Sequence, residues 1–173
     1  GLEFAIFSAS SPDAEFTKTL SFSKNDLSVN DEVVSIEGAS LLPPETTSSG
    51  WELFVSTEKR LSYPKPLINF QKPGTGVWSI DRIRGGDRID SLSPDTIQTV
   101  ASSQKGETLH VKDPVAFRIH ASTTELAYCH HPFSWASSNT GLSRQTGTNG
   151  DFELVSENVL PRGNSWDVAC SRL

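Results

Sequence analysis

The stretch FTKTLSFS, residues 16–23, decides the fold class because apolar and polar side chains alternate along it. Phe16, Leu20 and Phe22 share one face of an extended chain, and the threonines and serines occupy the other face. Lys18 interrupts the apolar face. Successive side chains of a β-strand point to opposite sides, so this segment predicts a strand that covers a core on one side only.

Short segments with the same character recur along the chain, and turn residues separate them. About ten or more short strands at this spacing are typical of a β-sandwich or a β-barrel. No long stretch alternates strand with helix, so a parallel α/β sheet is not expected. The further predicted strands are residues 4–9, 32–37, 51–57, 67–70, 77–83, 107–111, 115–120, 125–129, 152–156 and 165–170.

Turn residues mark where the predicted strands end. Asp113-Pro114 predicts a tight connection between two strands, and Asn149-Gly150 suits a turn that needs a positive φ. Connections this short join antiparallel strands. Two further breaks lie at residues 72–74 and 84–87.

One segment has the pattern of a helix instead. Ser93 is a favourable N-cap residue, Pro94 suits the first helical position, and Gly106 supplies a stop. The apolar residues between them recur at helical spacing, so residues 93–106 predict one short helix. These apolar residues are Ile97, Val100 and Ala101.

We predict a single all-β domain over residues 1–173, a compact antiparallel β-sandwich of the jelly-roll or immunoglobulin-like kind with at most one or two short helices. The length of 173 residues and the apolar content of 35% suffice for one full core. A β-trefoil barrel is the second choice, because a tryptophan beside glycine or serine recurs three times, although at unequal intervals. We interpret these tryptophans as core anchors. They are Trp51, Trp78 and Trp166.

Charge and hydropathy exclude two classes of partner. The net charge is -6, and lysine and arginine are scattered rather than concentrated in one segment, so nucleic acid is not an expected partner. No apolar run approaches the roughly 18 to 20 residues of a membrane span, and the chain does not begin with the pattern of a signal peptide. We therefore expect a soluble chain.

The two cysteines, Cys129 and Cys170, both lie in predicted strands. We predict a disulfide between them, which would close a loop of about 40 residues and stabilise the fold by roughly 3 to 4 kcal/mol. The alternative is two buried free thiols. The bridge is the one feature that suggests a secreted, extracellular protein.

Familiar catalytic motifs are missing from the sequence. It contains no Gly-x-Ser-x-Gly, His-Glu-x-x-His or Gly-x-x-x-x-Gly-Lys motif, no dinucleotide fingerprint and no calcium loop, so no cofactor is expected. Glycoside hydrolysis by two strand carboxylates remains a hypothesis. Its candidate residues are Glu52, Glu153 and Asp167.

The segment CHHPFSW, residues 129–135, and the polar residues 134–150 after it are the first candidate binding site. Adjacent histidines in an extended chain point to opposite sides, so no metal site is predicted there. An aromatic ring beside amides and hydroxyls suits stacking on a sugar or contact with a protein. The alternative is a solvated loop with Trp135 in the core. Candidate binding residues are His130, His131, Phe133, Trp135, Asn139 and Arg144.

Residues 57–66 are the second candidate, an exposed basic loop stiffened by proline. Loops of this kind are presented by protease inhibitors to their targets, because a rigid loop loses little entropy on binding. The alternative is a plain solvated connection. Candidate residues are Lys59, Arg60, Tyr63 and Lys65.

These features leave three functional hypotheses. The first is a non-catalytic secreted binding module that recognises carbohydrate or a protein partner through surface loops. The second is a secreted protease inhibitor or a host-interaction protein of the effector type. The third is a glycoside hydrolase.

Overall fold

The computed structural model describes residues 1–45, 49–103, 108–120, 122–132, 139–147 and 150–160, and over these residues the chain is almost entirely β. Its only helical turns there are two 3-10 helices, Ile68–Phe70 and Ile89–Ser91. The predicted fold class is confirmed. The strands are β1 Glu3–Ser8, β2 Thr17–Ser23, β3 Val33–Leu42, β4 Glu52–Lys59, β5 Val77–Arg84, β6 Ser93–Ser102, β7 Thr108–His120, β8 Thr123–Pro132, β9 Asn139–Thr146 and β10 Glu153–Ser156.

The strands form three antiparallel sheets. β1 and β2 form a hairpin, β3 to β6 form a central sheet, and β7 to β10 form a second four-stranded sheet. Both four-stranded sheets follow the order of the chain, as in a meander. Because β7 packs across β3, β4 and β5, the two larger sheets stack face to face, an arrangement compatible with a compact β-sandwich.

The central sheet buries apolar side chains on both of its faces. Leu53 and Val55 of β4 enter one core, and Phe54 between them enters the other, because neighbours on a strand point to opposite sides. The first core lies under the β1–β2 hairpin, and the second lies between the larger sheets. The first contains Ile6, Phe22, Leu27, Val33, Ile36, Leu53, Val55, Ile83 and Leu92; the second contains Leu42, Phe54, Ile80, Val111, Ala116, Leu126 and Tyr128.

The hairpin strand that indicated the fold class behaves largely as its alternation predicts. Phe22 is 5% exposed and Leu20 packs against the first core. Phe16 differs, because it lies one residue before β2 and is 62% exposed. Among the described residues no helix is long and apolar enough to cross a membrane.

The predicted turn at Asp113-Pro114 is wrong, because β7 runs through it without reversing. Asp113 has a φ of 54° and opens a bulge in the pairing of β7 with β8. Its backbone N–H donates to Ser56 Oγ at 2.9 Å on the central sheet. Gly38, with a φ of 47°, lies at a bulge of β3 directly against Asp113. The two bulges let β3 and β7 approach closely where the sheets cross.

The predicted helix over residues 93–106 is also wrong, because residues 93–102 form β6 at the edge of the central sheet. Proline has no backbone N–H to donate. Pro94 is tolerated at this edge because the outer side of an edge strand pairs with no other strand, so no hydrogen bond between strands is lost. Ile97 packs against the first core and Val100 against the second. The packing of these two side chains on opposite faces of the central sheet therefore outweighs the local sequence preference for a helix.

Two further segments depart from prediction. Residues 67–70 form the first 3-10 helix and its N-cap rather than a strand. Residues 139–146, predicted as part of a polar loop, form β9 between β8 and β10. Two of its buried polar side chains have partners within the protein: Ser143 Oγ lies 2.9 Å from Tyr128 Oη, and Gln145 Oε1 accepts a hydrogen bond from Arg82 Nη1 at 3.0 Å. The predicted strand at residues 165–170 lies outside the described residues.

We expect Gly38→Ala to lower the free energy of unfolding by about 2–4 kcal/mol, because it combines left-handed backbone strain with overpacking. A Cβ at this position would lie 2.6 Å from Asp113 Oδ1 and 3.1 Å from Asp113 Cα. Urea denaturation of the full chain measures the change.

Gly74→Ala is the matched control. Gly74 has a φ of 82°, but nothing lies within 4 Å of the position of its Cβ. We expect a cost of about 1–2 kcal/mol from backbone strain alone. Equal losses in the two variants would contradict the close packing of the two bulges.

Candidate functional site: an aromatic cleft

A cleft of about 730 Å³ opens where the β4–β5 connection meets the end of β8. Its lining combines four rings with polar groups, and no described lining residue carries a carboxylate. We call it the aromatic cleft after Tyr63, Phe70, Trp78 and His131. Its polar lining includes Asn69, Gln71, Lys72 and Thr75.

Gln71 holds the connection that forms one wall of the aromatic cleft. Its Oε1 accepts a hydrogen bond from the Tyr63 backbone N–H at 3.0 Å. Its Nε2 donates to the carbonyl of Leu61 at 2.9 Å and to that of Thr75 at 2.8 Å. One side chain therefore joins both ends of residues 61–75 and presents the lining side chains from a preformed loop.

Two other contacts attach this loop to the body of the protein. Leu67 is fully buried beneath it. Gly76 lies so close to β4 that a Cβ would be 2.0 Å from the Lys59 carbonyl oxygen, and its N–H donates to Glu58 Oε1 at 2.7 Å. Only glycine leaves room for this approach. The wall of the cleft is thus anchored at its middle and at its end.

Two of the rings have a defined electrostatic setting. Burial, and to a lesser extent the nearby charge of Glu58, raises the pKa of the Tyr63 phenol, so the hydroxyl stays protonated at neutral pH. The Lys112 ammonium lies 4.3 Å from the centroid of the Trp78 ring and forms an ion pair with Glu37. This cation–π contact orients the indole at the cleft.

The structure brings together residues from the two candidate sites of the sequence. Tyr63, from the predicted basic loop, and His131, from the segment at residues 129–135, both line the aromatic cleft. His130 does not line it and is 4% exposed, with its ring edge-on to Tyr128 at 6.1 Å. Phe133 and Trp135 lie outside the described residues.

The remaining predicted binding residues of this segment belong to the second sheet. Asn139 is buried and pairs with His130 across β8 and β9. Arg144 faces Glu125 across the same strands and donates to its carboxylate from Nε at 2.8 Å. Both residues lie within the ladder, and neither lines the aromatic cleft.

The prediction that Lys59 lies in an exposed loop is wrong. Lys59 ends β4, is 6% exposed, and donates to Asp81 Oδ1 at 3.0 Å. Thr57 and Thr99 also donate to the Asp81 carboxylate, so the pair is enclosed by hydrogen bonds. A buried ammonium has to be paired, and residues distant in sequence supply that pairing here.

The other residues of the predicted basic loop are closer to expectation. Arg60 is exposed and forms an ion pair with Glu32 at 2.6 Å. Lys65 is exposed on the β4–β5 connection. Neither side chain lines the aromatic cleft, whereas Tyr63 between them does.

Sequence reasoning missed Phe70, Lys72 and Trp78 as members of a site. The sequence pattern predicts a strand at Phe70 and a core position for Trp78. Trp51 does pack against the first core, with its Nε1 donating to the Asp87 carbonyl at 3.2 Å. One feature of the sequence could have indicated Trp78. Residues 71–76, just before it, contain a proline and two glycines, which predict a turn close to the indole.

The strand carboxylates do not form a hydrolytic pair in the cleft. Glu52 is bound by arginines between the two larger sheets, and Glu153 is exposed on β10. Asp167 lies outside the described residues. No described group of three or more histidine, cysteine, aspartate or glutamate side chains could hold a metal ion.

We expect Gln71→Ala to lower the free energy of unfolding by about 2–3 kcal/mol, because three hydrogen bonds are lost at about 1 kcal/mol each. The amide of Tyr63 should also exchange with deuterium faster, since its acceptor is removed. Hydrogen exchange and denaturation of the full chain measure both effects.

Asn69→Ala is the control, since Asn69 is exposed on the same loop. Its effect should stay within about 0.5 kcal/mol. Unchanged exchange at Tyr63 in the Gln71 variant would contradict the assigned role of this side chain.

The chain was compared with models of protein families, with curated proteins and with solved structures, and nothing matched it in any of the three. No relative therefore supplies a ligand or an activity for the aromatic cleft. Its function has to be inferred from the side chains that line it and from the way the fold holds them.

Proposed function

We propose that the protein is a non-catalytic carbohydrate-binding module and that the aromatic cleft is its binding site. The observation that carries this proposal is the convergence of Tyr63, Phe70 and Trp78 on one cleft of about 730 Å³. Clefts of roughly 300–1,000 Å³ are the usual size for small-ligand sites. Such a space suits a short oligosaccharide or the end of a longer one.

The rings supply the apolar part of sugar recognition. A pyranose has faces of C–H groups that pack against an aromatic ring, and a rigid ring loses little conformational entropy in doing so. Trp78 is half-buried, and Lys112 restrains its indole. The side chain therefore loses little conformational entropy when a ligand binds.

Polar side chains supply the directional part. Asn69 and Lys72 are both exposed at the cleft and offer an amide and an ammonium group to sugar hydroxyls. Gln71 is committed to holding the loop, as its three hydrogen bonds show, and is assigned a positioning role. Recognition thus rests on a few hydrogen bonds beside a stacking surface.

A protein partner or a protease is less well supported. An inhibitor acting through residues 57–66 needs free cations on an exposed loop, but Lys59 is buried with Asp81 and Arg60 is paired with Glu32. Arg60 and Lys65 are both exposed as expected, but Arg60 is held in its ion pair. The cleft at this loop is concave, which suits a small ligand better than a protease active site.

Secretion remains part of the proposal and depends on the predicted disulfide between Cys129 and Cys170. Cys129 is 7% exposed on β8, two residues before His131 of the cleft. Cys170 lies outside the described residues. A bridge would tie the end of the chain to the strand that carries His131 and would indicate an oxidising compartment.

On a glycan array, we expect the full chain to bind a restricted set of oligosaccharides and Trp78→Ala to bind them about tenfold more weakly, a loss of about 1.4 kcal/mol. The loss follows from removing the stacking surface. Titration of the best glycan by calorimetry measures the affinity.

Trp51→Ala is the matched control, because Trp51 is also half-buried but packs against the first core, away from the cleft. It should keep the glycan affinity of the unchanged protein. Equal losses in the two tryptophan variants, or an array without any bound glycan, would remove the proposal. Capture of a protein partner that Trp78→Ala abolishes would replace carbohydrate with protein as the ligand.

We expect the denatured protein to contain no reactive thiol before reduction and two after it, because Cys129 and Cys170 are its only cysteines. Titration with a thiol reagent in denaturant counts them. Two thiols before reduction would refute the disulfide and leave secretion without support.

A further inference from the structure

The β4–β5 connection differs from the rest of the chain in its charge. The chain has a net charge of -6, yet residues 61–75, which form one wall of the aromatic cleft, contain two lysines and no acidic residue. These lysines are Lys65 and Lys72. A locally cationic segment therefore lies at the cleft of an acidic protein.

Lys65 and Lys72 also form no ion pair with any residue that the structure describes. Within that part of the chain, every other lysine and arginine except Lys24 lies within ion-pair distance of a carboxylate. Both lysines of the connection are exposed. Their positive charges are thus available to a charged ligand.

Only one of the two lysines lines the aromatic cleft. Lys72 lines it and Lys65 does not, and no described lining residue carries a carboxylate. Glu58 is close enough for its charge to act on Tyr63, but it does not line the cleft, and its Oε1 accepts the Gly76 N–H at 2.7 Å. A ligand in the cleft therefore meets an ammonium group and no described acidic group.

The backbone that carries Lys72 is held in a turn. The Lys72 carbonyl accepts hydrogen bonds from the Thr75 N–H at 3.1 Å and from Thr75 Oγ1 at 2.7 Å. Pro73 and Gly74 occupy the central positions, and the φ of 82° at Gly74 is that of a type II turn. Gln71, the residue before, holds the same loop through its three hydrogen bonds. A preformed backbone thus presents the ammonium group, which lowers the entropy lost on binding.

We propose that the aromatic cleft selects acidic oligosaccharides, and that a carboxylate or sulfate group of the sugar pairs with the Lys72 ammonium group. This inference rests on the proposed carbohydrate-binding function and adds the class of sugar. The rings pack against the C–H faces, and the ammonium group binds the anion through a charge-assisted hydrogen bond. Lysine acts as a point charge, so either anion suits it. A neutral sugar would gain only ordinary hydrogen bonds from this side chain.

The test uses a glycan array that carries oligogalacturonates, sialylated oligosaccharides and sulfated oligosaccharides beside neutral glycans. We expect the full chain to bind acidic members best. The best-bound glycan is then titrated by calorimetry against the same glycan after methyl esterification of its carboxylates or removal of its sulfates. The acidic form should bind about fivefold more tightly, the upper end for an exposed ion pair. Which treatment removes the preference identifies the anionic group.

Lys72→Gln should bind the acidic glycan about three- to fivefold more weakly and the neutralised glycan as before, because only the charge is lost. Lys72→Arg should keep the preference for the acidic form. Trp78→Ala should weaken both forms, since stacking does not depend on the charge. Lys65→Gln is the matched control, because Lys65 is exposed on the same connection and does not line the cleft. Its affinity should change by less than about 1.5-fold, since solvent and salt screen a more distant charge.

Salt supplies an independent measurement. Raising sodium chloride from about 0.1 M to about 1 M shortens the screening distance from roughly 10 Å to roughly 3 Å and should remove most of the preference for the acidic glycan. Acidic and neutralised forms that bind equally, or a Lys72→Gln variant that keeps the preference, would overturn this inference. If only neutral glycans bind, and Trp78→Ala weakens them, the carbohydrate-binding function stands without it. An array with no bound glycan would remove both.

Discussion

The structure depends on one constraint, which is that the central sheet has to bury both of its faces. Leu53 and Val55 of β4 need cover on one side, and Phe54 needs it on the other. The β1–β2 hairpin supplies the first cover and the second four-stranded sheet supplies the other. Burial of apolar area is the main stabilising contribution to folding. A sheet that is covered on both sides buries apolar area on each face. The close crossing of β3 and β7 at Gly38 and Asp113 follows from this stacking.

The strands β4 and β5 support the aromatic cleft at one of their ends. The cleft lies where β4 ends and β5 begins, and at the other ends of these strands Glu52 faces Arg82, Arg84 and Arg118. A rigid, doubly covered pair of strands is a suitable scaffold, because sites built on regular elements keep their geometry better than those on loops. The cleft presents rings, an amide and an ammonium group, whereas the other ends of β4 and β5 carry ion pairs between the two larger sheets.

Local sequence signals failed where partners distant in the chain outweighed them. Pro94 after Ser93 is a sound helix start, yet burial on both faces makes this segment an edge strand. The polar residues of β9 resemble a loop, yet Gln145 is buried because Arg82 on the other sheet donates to it. Lys59 lies in a stretch whose composition predicts a basic, solvated loop, but its ammonium is buried because it donates to Asp81 of the adjacent strand β5. In each case the decisive contact joins residues that no local window contains.

By itself, the sequence determined the all-β class and most of the strands, because side-chain alternation is a local property with a period of two. It also singled out Tyr63 and His131, although as parts of separate loops. Only the tertiary structure decided that these two residues meet, that Trp78 joins them, and that three arginines gather at Glu52. Strand register and sheet stacking are set by packing between distant segments, and that information is absent from the pattern of any one strand.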